Sequence, residues 1–321
     1  MSVDDFLDSE PVYSTGHGYA YLGDSKQLLD DLPENTINLV VTSPPFALRH
    51  KKEYGNKDPE EYNEWFLEFA SRVRRVLTDD GSFVIDIGGG WKKGTPVRSL
   101  YHFKLLDQLA GREDSPFHLA QDFYWYNPAK LPTPAQWVTV EKIRATDAIN
   151  HVWWLSKSER PKADTTKVLN DYSERQQQLI DSGYEKFGVT KKDRPSGHNI
   201  SDSFDKDNKG SLPDNLLEIP NTQSNTKYLR ACKALDLDPH PARFPTKLPE
   251  FFIEMLTDEG DVVLDIFAGS NATGAVAERL NRRWLAFELK EEYLESSQLR
   301  FIDIEQLERD EAQLELSKFN Q

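Results

Sequence analysis

An apolar run goes straight into a proline pair at Leu39-Val40-Val41-Thr42-Ser43-Pro44-Pro45-Phe46. Two successive prolines fix φ and remove two backbone donors. The strand end is left with acceptors: the Ser43 hydroxyl and the carbonyls of Ser43 and Pro44. Such a cluster, with the Phe46 ring beside it, can hold a planar base by its exocyclic NH2 while the ring stacks on the base face. The same residues also suit a strand closed by a plain proline turn.

A second run, Asp261-Val262-Val263-Leu264-Asp265-Ile266-Phe267-Ala268-Gly269-Ser270-Asn271-Ala272-Thr273-Gly274, ends in an acid and a small-residue turn. It passes into the helical pattern Ala275–Leu280, then a strand Trp284–Phe287 closed by Glu288. Strand, glycine turn, helix and a following acid describe a ribose-binding βαβ unit. The turn is not GxGxxG, so the dinucleotide fingerprint fails and a nicotinamide dehydrogenase is disfavoured. An ordinary βαβ unit whose glycines only turn the chain is the plainer reading.

Together these segments resemble the amino-methylating DNA methyltransferases. Phe-x-Gly-Ser-x-x-Thr-Gly after Asp265 is similar to their S-adenosylmethionine loop, and Ser43-Pro44-Pro45-Phe46 to their catalytic motif in its cytosine-N4 form. The catalytic motif precedes the cofactor loop, an order that resembles the permuted β group. The likeness extends through Ser43–Gly55, Asp122–Pro132, Arg194–Asp207 and His240–Leu256, nearly the whole chain. It implies an α/β, Rossmann-like methyltransferase sheet in circularly permuted order with an inserted target-recognition region. Expected boundaries are a terminal arm at 1–15, a catalytic part at 16–155, a recognition region at 156–239, a cofactor part at 240–305 and an acidic tail at 306–321.

The resemblance assigns roles residue by residue. Ser43, Pro44, Pro45 and Phe46 are the expected catalytic group. Asp24, Phe244, Pro245, Asp265, Phe267, Gly269, Ser270, Asn271, Thr273 and Glu288 are expected around S-adenosyl-L-methionine. Without the family, Asp24 is simply a good helix N-cap. Arg49, Lys51, Lys52, Lys191, Lys192, Arg194 and His198 are expected against DNA. The implied reaction is methyl transfer to N4 of a cytosine flipped out of duplex DNA. Similarity through the recognition stretch implies the palindrome CAGCTG, methylated as the modification half of a restriction-modification system beside a cognate endonuclease. Such enzymes commonly act as monomers, and no metal is implied. An adenine-N6 methyltransferase more often has Asp where Ser43 stands. A catalytically dead DNA-binding module would be expected to lose Ser43, Phe46 or the Gly269 loop.

Composition bounds these readings. The chain has 321 residues, enough for one large α/β domain with an insertion. Its single cysteine, Cys232, precludes an internal disulfide and suits a reducing cytoplasm. Cytosine-C5 chemistry needs a thiolate, usually in a Pro-Cys pair, and Cys232 lies outside one. The acidic N-terminus lacks the basic segment of a signal peptide. A net charge of −15 runs against DNA binding. Residues 1–34 carry eight acids against one base and 288–321 ten against four, which leaves about −2 for the body between. That body holds basic patches at Arg49–Lys52, Lys92-Lys93 with Arg98, and Lys191–Arg194.

Elements are expected to place these groups as follows. A strand at Tyr19–Leu22 precedes a helix from Lys26 to Leu32, and a helix from Asp58 to about Leu77 carries apolar residues at Trp65, Phe66, Phe69, Val73 and Val76. Strands follow at Gly81–Ile87, from Asp122, and at His151–Leu155. Gly88-Gly89-Gly90 reads as a close backbone approach beside the catalytic pocket or as a plain flexible turn. From 156 to 239 apolar periodicity fades, the mark of a disordered or functional segment.

Overall fold

Near-continuous apolar runs become the inner strands of one sheet, as expected where both faces are covered. The computed structural model describes residues 7–47, 58, 61–186, 207–222, 226–243 and 245–302. The strands are β1 (Tyr13–Ser14), β2 (Gly18–Leu22), β3 (Ile37–Thr42), β4 (Leu77–Ile87), β5 (Gly90–Trp91), β6 (Arg98–Ser99), β7 (His118–Tyr126), β8 (Ile149–Ser156), β9 (Leu216–Glu218), β10 (Val262–Asp265) and β11 (Arg283–Glu288). Nine of them form one sheet in the order β1-β2-β11-β10-β3-β4-β8-β7-β9, while β5 and β6 pair separately. The strands from β2 to β4 in that order are mutually parallel, and β8 runs antiparallel to both neighbours.

The helices are α1 (Ser25–Asp31), α2 (Tyr62–Val76), α3 (Tyr101–Ala110), α4 (Glu174–Lys186), α5 (Thr226–Ala234), α6 (Lys247–Leu256), α7 (Ala272–Arg279) and α8 (Glu291–Ser297). Helix α2 buries Tyr62, Phe66, Phe69, Ala70, Val73 and Val76, a stripe at helical spacing. Phe66 stacks on Phe83 of β4 with centroids 6.2 Å apart, tying that stripe to the sheet. Helix α2 begins about one turn after the expected start at Asp58, and β4 begins four residues earlier than expected because Leu77 pairs with Ile37. Helix α3 was not expected, yet Tyr101, Leu105 and Leu109 bury at four-residue intervals.

The described chain divides into two compact units, residues Asp164–Asp214 and the remainder. The smaller contains a 3-10 turn at Thr165–Val168, α4 and a bridge between Asn170 and Ser211. Within the polar stretch 156–239, residues from Asn215 onward belong to the larger unit. There β9 extends the sheet edge beside β7, and α5 buries Tyr228, Ala231 and Cys232. Among the described residues no helix is long and apolar enough to cross a membrane.

Candidate active site

Strand order creates the site. From β10 the chain crosses through α7 to β11 on one side, whereas from β3 it crosses through α2 to β4 on the other. Between β10 and β3 the winding reverses, and ligands bind outside the carboxyl ends of the strands at such a point. Ser43-Pro44-Pro45-Phe46 leaves β3 there, and the Ile266–Ser270 loop leaves β10 beside it. Asp24 follows β2, Glu288 closes β11, and Asn150 opens the antiparallel β8 at the same end. Together they line one cavity of about 730 Å³.

On the β3 side a buried carboxylate organises the wall. Ser43 Oγ donates to Asp86 Oδ2 at 2.9 Å, and Asn150 Nδ2 donates to Asp86 Oδ1 at 3.1 Å. Burial pushes the Asp86 carboxyl up to about 6, against the pull of those two hydrogen bonds and the charge of Lys130. The Ser43 proton is committed to Asp86, so its oxygen remains an acceptor. Phe46 lies over Gly88, where a Cβ would come within 2.6 Å of its ring. The Tyr101 hydroxyl donates to the Gly88 carbonyl and holds that segment in place. The close approach expected of Gly88 is therefore present.

On the β10 side a second buried carboxylate is sealed off. Asp265 accepts from Thr42 Oγ1 and Thr273 Oγ1 at 2.7 Å each, and from the Phe267 amide at 3.1 Å. Burial pushes this carboxyl up to about 6 as well. Asp265, Asn271 and Thr273 lie behind the cavity wall and shape the loop. Asn271, at φ 50°, caps α7 by accepting from the Gly274 amide at 3.0 Å. Gly269 also has φ 50°, and a Cβ there would meet the His240 ring at 3.1 Å. Its amide donates to Glu288 Oε2 at 2.8 Å, while Glu288 Oε1 accepts from the Leu289 and Lys290 amides. Burial raises the Glu288 pKa against those three bonds.

The cavity thus gathers Ser43, Pro44, Pro45, Phe46, Asp24, Phe267, Gly269, Ser270 and Glu288. Asp24 also caps α1, accepting from the Lys26 amide at 2.9 Å. Pro245 is buried outside the wall. Phe244, Arg49, Lys51, Lys52, Lys191, Lys192, Arg194 and His198 lie outside the described residues. Sequence reasoning missed Asp86, Lys130, Asn150 and His240 as wall residues. An acid inside the apolar run Phe83-Val84-Ile85-Asp86-Ile87 was the available signal, since a buried carboxylate demands partners.

A family model described as DNA methylase, of the N6/N4 group, matches residues 37–299. The chain belongs to the DNA methylase family. The methylase is 54% identical to the type II methyltransferase M.PvuII of Proteus hauseri, over 94% of this chain and 90% of that protein. It is 26% identical to type II methyltransferase M.ScaI of Streptomyces caespitosus, over 89% and 82% of the two chains. Its fold matches the solved structure of the PvuII DNA methyltransferase, described as cytosine-N4-specific, with a TM-score of 0.74 and 47% identity. That match covers 92% of the methylase and 90% of the other chain. The large, mostly parallel sheet is therefore the methyltransferase sheet expected from the sequence.

Proposed function

We propose that this methylase transfers a methyl group to N4 of a flipped-out cytosine in duplex DNA, within CAGCTG. The observation that carries the reading is the Ser43–Asp86 hydrogen bond, which keeps the serine oxygen an acceptor in the same cavity as Gly269 and Glu288. The cofactor is S-adenosyl-L-methionine, which supplies an electrophilic methyl on a sulfonium. The residues fit it: Gly269 turns the loop at the cavity with φ 50°, and the Glu288 carboxylate ends a strand there. Glu288 would hold the ribose hydroxyls and Asp24 the adenine side, with Phe267 and Leu289 as apolar walls.

The N4 amine is a poor nucleophile because its lone pair is conjugated with the ring. Ser43 Oγ and the Pro44 carbonyl accept its two hydrogens and draw the nitrogen towards tetrahedral geometry, freeing that pair. Phe46 stacks on the base, which must leave the helix to enter the cavity. Positioning and charge stabilisation supply most of the rate. After transfer, the N4–H bond breaks as Ser43 Oγ takes the proton, and the serine's own proton passes to Asp86 Oδ2. A carboxyl pushed up to about 6 receives that proton readily.

Cytosine over adenine is supported by Ser43 and by the cytosine-N4-specific relative at 47% identity. The region 156–239 is proposed to read the target, between the catalytic part at 16–155 and the cofactor part at 240–305. The enzyme would act as a monomer in a prokaryotic cytoplasm, protecting DNA from a paired endonuclease. The test is transfer of tritium from labelled cofactor to duplex DNA, followed by nucleoside mass analysis. N4-methylcytosine that disappears in Ser43→Ala supports the proposal; N6-methyladenine, or undiminished transfer by the variant, overturns it.

A further inference from the structure

Along the wall that carries Ser43, the polar groups change character in order. Ser43 Oγ and the Pro44 carbonyl offer acceptors. Asp86 joins Ser43 to Asn150 Nδ2, and Asn150 Oδ1 accepts from Lys130 Nζ at 3.4 Å. The ladder that begins with acceptors thus ends on an ammonium, and all four side chains line the same cavity. Lys130 is half-buried, and burial pulls its pKa down while the Asp147 and Asp86 charges pull it up. Asp147 is itself engaged by Arg98, whose Nη1 lies 3.0 Å from both of its oxygens. Among the described residues no carboxylate comes within ion-pairing distance of Lys130. A cation half-buried on one long hydrogen bond has donors to spare, since an ammonium carries three.

We infer that Lys130 reads the ring carbonyl of the target base, donating to O2 of a 4-amino-2-oxopyrimidine. This rests on the methyl-transfer reading of the cavity given above. The edge of cytosine presents an amine, then the N3 acceptor, then the O2 acceptor. Adenine presents an amine, then N1, then only C2–H. A wall that runs from acceptors to an ammonium complements the first edge at its two ends, the amine and O2. Against the second it leaves a desolvated cation facing a carbon, and a polar site rejects an analogue that lacks its partner. Lys130 is thereby a specificity-determining residue, distinct from the Ser43–Pro44 group that binds the amine.

The test compares wild type and Lys130→Met on two duplexes that differ only in the target base, cytosine or 2-thiocytosine. Sulfur at C2 is a weak acceptor, whereas the amine is unchanged. Wild type should favour the oxygen base by about 10- to 150-fold in kcat/KM, the range for a hydrogen bond to a charged group. Lys130→Met should lose most of that preference and Lys130→Arg retain part of it. A variant that slows both duplexes equally, with the ratio intact, overturns the inference, because a packing defect cannot distinguish O2 from S2. If turnover by Lys130→Met is too slow to follow, the ratio of Kd values for the two duplexes gives the same comparison. Failure of wild type to methylate the cytosine duplex would instead overturn the proposed function itself.

Discussion

Replacing Asp86 with asparagine should slow methyl transfer while making the protein more stable at alkaline pH. The carboxyl is pushed from its ordinary 3.8 up to about 6 by burial. Each pKa unit corresponds to about 1.4 kcal/mol, so keeping it ionised above pH 6 costs roughly 3 kcal/mol of stability. The folded chain holds this proton more tightly than the unfolded chain. Stability therefore falls as pH rises from about 4 to 6 and levels off above. Asp265, shifted to about 6 in the same way, contributes a similar decline, and the raised Glu288 adds to it, so the variant should lose only its own share of the total. Asparagine removes the charge but must turn its NH2 towards either Ser43 or Asn150, both of which now donate to the carboxylate. With about 1 kcal/mol lost in that rearrangement, the net gain at pH 8 is about 1–2 kcal/mol. The rate moves the other way. An amide donating to Ser43 Oγ occupies the acceptor that the amine needs, and a charge-assisted bond of about 1.5–3 kcal/mol is lost. Single-turnover transfer should drop by about 10- to 150-fold, and the acidic limb near pH 6 should vanish from its pH profile. Single-turnover rates from pH 5.5 to 8.5 and urea unfolding at pH 5 and 8 read both quantities. An unchanged rate, or a slow variant that is also less stable at pH 8, would refute the argument.

Two further predictions address the two halves of the cavity. Phe46→Ala removes the ring proposed to stack on the base, a contact worth about 1–3 kcal/mol, so KM for duplex DNA should rise about 5- to 150-fold while cofactor Kd stays constant. Gly269→Ala places a Cβ 3.1 Å from the His240 ring at φ 50°, and should weaken cofactor binding by at least about tenfold in calorimetry, with duplex affinity preserved.

Much of the site was legible because its backbone chemistry is local. The proline pair after β3 and the glycine turn after β10 each announce a strand end, and the alternation of strands and helices places those ends together. What was not legible depends on pairs far apart in the chain. Asp86 and Asn150 meet only because β4 and β8 are antiparallel neighbours, and no local period encodes that pairing. Lys130 reaches the same wall from the loop after β7, where the sequence shows only a lysine between turn residues. Helix α3 was recoverable from Tyr101, Leu105 and Leu109, but its role in holding Gly88 depends on a tertiary hydrogen bond. The polar stretch 156–239 hid helices α4 and α5 and strand β9, which is too short for alternation to stand out and whose partner β7 lies some ninety residues earlier.

Asp86 and Asp265 show why burial and a raised pKa alone do not identify a working carboxylate. Both are almost wholly inaccessible, and both are pushed up to about 6 by desolvation. Asp265 accepts from two threonines and an amide that belong to the loop and to β3, and it lies outside the cavity wall. Its charge is solvated by donors of the surrounding fold, so its contribution is to fix the junction between β10 and β3. Asp86 accepts instead from Ser43, a hydroxyl exposed to the cavity, and from Asn150, which leads on to Lys130. A proton taken up by Asp265 stays within the joint between β10 and β3, whereas one taken up by Asp86 would come from the Ser43 wall of the cavity. The difference lies in which donors each carboxylate holds, and that is where mutational work should separate structure from catalysis.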